Sequence, residues 1–277
     1  VLLGVALAAA LGALGYLLLQ LDAANRLIDD QNRKIQEQGD LIDKKETFGD
    51  AMKELIRTAH AFDGVLLTSI VPWESYQGIA DRAWSDRRNP ESLDRDTQSV
   101  RSSLDELQQL LADARAEASS NHTKSTYEKV VDRLGQGFVA SVLENADGFC
   151  ESDVLACVSS DDPYTIHFDK KDNAKPYMTD WLRTGVAYHE FAHVLQFTNP
   201  EPTKVALEAF GDDEETMADC FALTYLDGWT LHHRIWVNSY TYWDVDIGYG
   251  HTCNAKQKKV IRDWYGELGF KAGSISQ

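Results

Sequence analysis

The sequence predicts an α+β fold, mostly α-helical, and three observations lead to it. Apolar residues recur at helical spacing along most of the chain. The clearest strand signal is the run Tyr164-Thr165-Ile166-His167-Phe168, with its β-branched and aromatic make-up. Prolines, which would break such helices, number 6 in 277 residues. A hydrophobic share of 43% is enough for a packed core and excludes a largely disordered chain. The length suits a larger domain with something smaller attached. Acidic side chains outnumber basic ones 44 to 27, for a net charge of -17. That field repels phosphate backbones, so nucleic-acid binding is excluded.

Residues 1–21 open the chain with a run that is uncharged through Leu21, about the length a transmembrane helix needs. A transmembrane anchor is expected there, with a cleaved signal peptide or a buried helix as the alternatives. The small residue of a cleavage site is replaced by Asp22, which favours the anchor. Over 22–62, Leu21, Ile28, Ile35 and Ile42 recur every seven residues, with Ala24, Gln31, Gln38 and Lys45 as companions. This reads as a helical stalk whose polar seam allows only weak self-association. Residues 63–148 form a helical region, with Trp73 and Trp84 expected in its core. Asn89-Pro90-Glu91 starts one helix, Ser119-Ser120-Asn121 ends it, and Tyr127 to Leu134 suggests another.

In 149–277, Thr179-Asp180 is a helix N-cap, after which Ala187, Tyr188, Phe191, Val194 and Leu195 make one apolar face. That helix is expected over about 181–197, a second from the Gly211-Asp212-Asp213 turn toward Asp227-Gly228, and a last over about 255–268. The first carries His189-Glu190-Phe191-Ala192-His193. Histidines at i and i+4 share a helix face and can reach one metal ion, and Glu190 lies beside them to take a proton from water. With 8 histidines in the chain, such a motif arises by chance about 1% of the time. The second helix carries Glu215 and Asp219, again at i and i+4. Glu215 is the expected third ligand and Asp219 the acceptor for the outer N–H of His189. Glu214, Glu208 or Asp219 stay open as replacements for Glu215, and the acidic run Asp212 to Glu215 is also what a solvated first turn looks like.

His189-Glu190-x-x-His193-Val194-Leu195-Gln196, followed by Glu215-x-x-Ala218-Asp219-Cys220-Phe221-Ala222, resembles the gluzincin zinc peptidases and most closely the bacterial neutral zinc metallopeptidases. The resemblance covers roughly 163–266. It implies a zincin-like domain with one Zn2+ ion on His189, His193 and Glu215, and Glu190 as general base. It also implies an edge strand, Tyr164 to Phe168, for an extended peptide or protein substrate. The family's later histidine is matched by His251, but Gly250-His251-Thr252-Cys253-Asn254-Ala255-Lys256-Gln257 has one extra residue before its glutamine. Tyr242, Tyr249, His232 and His233 therefore compete with His251 for a catalytic role.

Four cysteines and no CxxC spacing fit two disulfides in an oxidising compartment, with four buried thiols as the alternative. Given the motif, the pairing expected is Cys150 with Cys157 and Cys220 with Cys253, the second holding the His251 loop over the metal. The expectation is thus a membrane-anchored, single-pass, extracytoplasmic zinc metallopeptidase. A silent zincin-fold scaffold tethered to the membrane is the alternative.

Overall fold

The computed structural model describes residues 2–145, 148–150, 154–250 and 253–273, with side chains from Leu14 onward. The chain is mostly helical with a mixed α+β core. Its helices are α1 (Leu2–Ala59), α2 (Trp73–Ser85), α3 (Pro90–Ala118), α4 (Thr126–Gly135), α5 (Lys170–Asn173), α6 (Asp180–Thr198), α7 (Pro200–Leu207), α8 (Glu214–Tyr225) and α9 (Ala255–Glu267). The strands are β1 (Ala140–Glu144), β2 (Ala156–Ser159), β3 (Asp162–Asp169), β4 (His232–Trp236) and β5 (Tyr242–Asp246).

The chain divides into two compact units, one of residues 1–55 and 76–102 and the other of 56–75 and 103–276. In the first, Leu21, Ile28, Ile35 and Ile42 are solvent-exposed along α1. Trp84 is 62% exposed, with the Arg87 guanidinium 4.5 Å over its ring. This corrects its expected place in the core: a helix-end indole is covered here by a cation and not by a neighbouring layer.

The transmembrane anchor expected over 1–21 is overturned. Among the described residues no helix is long and apolar enough to cross a membrane. α1 has the length, but its side chains are charged from Asp22 on. The side chains of residues 2–11 and 13 lie outside the described set. The membrane partner, the single-pass, extracytoplasmic placement and the membrane-tethered scaffold were expected from that span, and are overturned as expectations with it.

In the second unit, a three-stranded sheet of order β1-β3-β2 lies against α6, which α4 and α8 flank. β1 runs parallel to β3, with Ser141 opposite Ile166, and β2 runs antiparallel, with Cys157 opposite His167. The strand expected at the edge, Tyr164 to Phe168, is therefore central, and β1 and β2 are the edges. The strand itself was legible from its residues, but its neighbours were not, because sheet order depends on distant segments. Ile166 and Phe168 bury one face, and Phe168 stacks on Tyr127 of α4 at 4.1 Å between centroids.

The helices start where their caps dictate. Thr179 accepts from the Leu182 amide at α6, Asp213 accepts from the Thr216 amide at α8, and Asn254 and Gln257 form a capping box at α9. β4 and β5 form a two-stranded ribbon that the sequence pattern did not announce. Arg234, Asp244 and Asp246 share one face and Ile235, Trp243 and Val245 the other, but with only five residues in each strand the alternation is a short signal.

Candidate metal centre

One side of α6 packs Ala187, Phe191, Val194 and Leu195 into the core. The opposite side, one turn apart, presents His189 and His193 toward α8. Glu215 stands in the first turn of α8 and Asp219 one turn further on. Crossing of the two helices closes the group. His189 Nε2 lies 3.0 Å from Glu215 Oε2, His193 Nε2 lies 3.2 Å from the same oxygen, and the two nitrogens are 3.2 Å apart. Among the described residues, these three form the group that could hold a metal ion.

The outer hydrogen bonds decide what those atoms are. His189 Nδ1 is 2.9 Å from Asp219 Oδ1, a carboxylate that only accepts, so Nδ1 carries the proton. His193 Nδ1 is 2.7 Å from Gln196 Oε1, whose amide nitrogen donates to the Glu214 carbonyl at 2.9 Å. Nδ1 of His193 is protonated by the same logic. In the neutral rings both Nε2 atoms are then lone pairs, and they converge with a carboxylate oxygen. Three such atoms packed together in a largely buried site could hold a cation at their centre.

One proton on His189 could satisfy two of them. Burial opposes a charge on His189, but the Asp219 and Glu215 carboxylates outweigh it and push the imidazole up to about 10. Burial likewise opposes a charge on Glu215, yet the two imidazoles beside it hold its carboxyl well below the usual carboxylate range. A divalent cation satisfies all three atoms at once. Ligands at about 2.0–2.1 Å on tetrahedral directions stand about 3.3 Å apart. The observed triangle of 3.0, 3.2 and 3.2 Å is close to that edge length. Two imidazoles and a carboxylate, with no thiolate, suit zinc. The arrangement resembles the zincin-type H-E-x-x-H…E triad.

Glu190 is buried and stands outside the triangle. Burial raises its carboxyl above the usual range, against the pull of His189 and His193. It lines two adjoining cavities, of about 280 Å³ and about 160 Å³. Val154 and Ala156, at the start of the β2 edge, line both, as do His189 and Tyr249. The larger cavity runs on between α6 and the segment after β5, with Trp229 packed on Gly185. A Cβ there would fall 2.0 Å from the indole, so only glycine fits.

The other expected site residues separate. Tyr249 reaches the site, its ring parallel to His189 at 6.0 Å between centroids. His232 pairs with Asp246 on the ribbon, Tyr242 lies under Arg234, and His233 is buried against Trp229. None of these three touches the triangle. His251 lies outside the described residues. Glu214 and Glu208 are not in the group, and Glu214 contributes only its carbonyl. Cys150 is bonded to Cys157 and Cys220 to Cys253, with Cα atoms 5.7 and 5.1 Å apart.

Gln196, Gly248 and the backbone of Tyr249 are site elements to which the sequence reading gave no role. Gln196 had a signal, its position three residues after His193 on the same helix. The other two had none, because their contact is made by backbone across 30 residues. No family model, no curated protein and no solved structure matches the chain.

Proposed function

We propose that the protein is a zinc-dependent metallopeptidase of the gluzincin type, allied to the bacterial neutral zinc metallopeptidases. The observation that carries this reading is the convergence of His189 Nε2, His193 Nε2 and a Glu215 oxygen within 3.2 Å of one another, beside the buried Glu190. His189, His193 and Glu215 would hold the ion. Bound there, zinc supplies Lewis acidity, which polarises a carbonyl oxygen and makes water easier to deprotonate.

Glu190 supplies the base. Its elevated pKa brings it nearer to the operating pH, where a carboxylate can take a proton from water and afterwards return it to the departing amine. The net reaction consumes one water and one peptide bond and yields a carboxylate and an amine. β2, as the free edge beside the site, offers ladder groups to an extended peptide. Asp219 and Gln196 hold the two imidazoles in the tautomer that leaves Nε2 open to the metal. Tyr249, at the junction of the two cavities, is the described side chain best placed to donate to an oxyanion. A metal-binding scaffold without activity would have no use for Glu190, whose burial costs stability unless it serves chemistry.

The test is hydrolysis of an unstructured protein by the zinc-loaded chain, with and without a chelator and with zinc restored. Glu190→Gln should retain zinc and lose roughly 100-fold or more in turnover. Activity that survives both chelation and this substitution would overturn the reading.

A further inference from the structure

We propose that Gly248 is a positioning residue for the metal centre: its missing side chain lets the backbone close on Asp219, and Asp219 thus fixed orients His189. The inference rests on reading His189, His193 and Glu215 as zinc ligands. Asp219 is 2% exposed, and a buried carboxylate has to be hydrogen-bonded on both oxygens to stay in one orientation. Oδ1 accepts from His189 Nδ1 at 2.9 Å, and Oδ2 accepts from the Tyr249 backbone N–H at 2.8 Å. Without the second bond the carboxylate could turn about its own axis and release the imidazole.

The close approach is possible only at a glycine. Gly248 has φ +98°, a conformation that L side chains rarely adopt, and a Cβ there would lie 2.4 Å from Oδ1 and 2.8 Å from Oδ2 of Asp219. Any side chain must displace either the loop or the carboxylate, and moving the carboxylate moves His189. Both ends of the loop are tied down, so the loop cannot simply retreat. The Ile247 N–H bonds to the Leu231 carbonyl at 2.8 Å, and Cys253 is bonded to Cys220, the neighbour of Asp219. Two residues on, Gly250 also has a positive φ, +73°, but a Cβ there meets nothing within 4 Å. It provides a control with loop strain and no contact with the site.

The experiment measures zinc affinity by competition with a chromophoric chelator, alongside ring-nitrogen NMR of His189 in the metal-free chain. Gly248→Ala should weaken zinc binding by about 10 to 100-fold, the range for loss of an outer-sphere partner. It should also shift the His189 Nδ1 resonance. Gly250→Ala should leave zinc affinity within about threefold of the native value, far below that range, and the His189 resonance in place. In the Asp219→Ala background, with the carboxylate gone and only the strain of the positive φ left, Gly248→Ala should add little further loss of zinc affinity. That pair decides the matter even if Gly248→Ala alone does not fold. Equal losses from Gly248→Ala and Gly250→Ala, or an undiminished loss in the Asp219→Ala background, would overturn the proposal. If the native chain bound no zinc, the reading of the ligands would fail, while the His189 resonance would still decide the role of Gly248.

Discussion

The two histidines of the triangle sit one helical turn apart and are held in opposite ways. His193 has a local, neutral partner, Gln196 on its own helix, tied to the Glu214 carbonyl just before Glu215. His189 is held by a charge from 30 residues away, and that charge is held in turn by the backbone that follows β5. The geometry at His193 is set once α6 meets the start of α8. At His189 it is complete only when the C-terminal segment has closed over Asp219. One half of the site is therefore built by a helix, and the other by tertiary structure.

The largest effects should come from the triangle itself, where this difference disappears. Replacing His189, His193 or Glu215 by Ala should each abolish zinc retention through gel filtration, because two remaining ligands cannot hold the ion against buffer. If Glu215→Ala retained zinc while Asp219→Ala did not, the two carboxylates would have to exchange roles. Next come the outer partners, which separate the two halves. Asp219→Ala should weaken zinc by up to about 100-fold and Gln196→Ala by only about 10-fold, since the first removes a buried charge and the second a neutral amide. A larger loss for Gln196→Ala in the same competition assay would reverse the comparison.

The disulfides extend the contrast. Reduction of Cys220–Cys253, which anchors the loop that holds Asp219, should lower zinc affinity before the domain unfolds. Replacing Cys150 and Cys157 by Ala opens a loop of separation 7. That should lower stability by about 2 kcal/mol with little change at the metal. Paired chelator titrations and melting curves would separate the two outcomes.

The smallest effect lies away from both histidines. Asp132 on α4 has a buried oxygen with no hydrogen-bond partner. Burial, reinforced by Glu117 and Glu128, pushes its pKa up from 3.8 to about 6. A carboxyl raised in the folded state binds more protons there than in the unfolded chain, so this contribution is fully favourable below about pH 4 and is lost as the pH rises through about 6. Asp132→Asn should remove that decline, and the difference between the two melting-temperature profiles should be confined to this window. Identical profiles would contradict the assignment.

Legibility in the sequence follows the same division. His189, Glu190 and His193 could be placed on one helix because i and i+4 spacing is a local rule, and Glu215 and Asp219 likewise. The caps at Thr179 and Asp213 were legible for the same reason. The partner of Asp219 was not: a backbone N–H leaves no trace in residue identity, and Gly248 looks like any turn glycine until the carboxylate beside it is seen. The edge role of β2 and the β4–β5 ribbon are pairing facts that no single segment encodes. The N-terminal run misled because apolar composition was read as a bilayer span.

The most direct test of the central claim is zinc K-edge absorption spectroscopy on the native chain loaded with one equivalent of the metal. The account predicts one tightly held ion, with two imidazole nitrogens and carboxylate oxygen at about 2.0–2.2 Å and no sulfur in its shell. Failure to retain the ion, or a shell of oxygen alone without imidazole scattering, would contradict it.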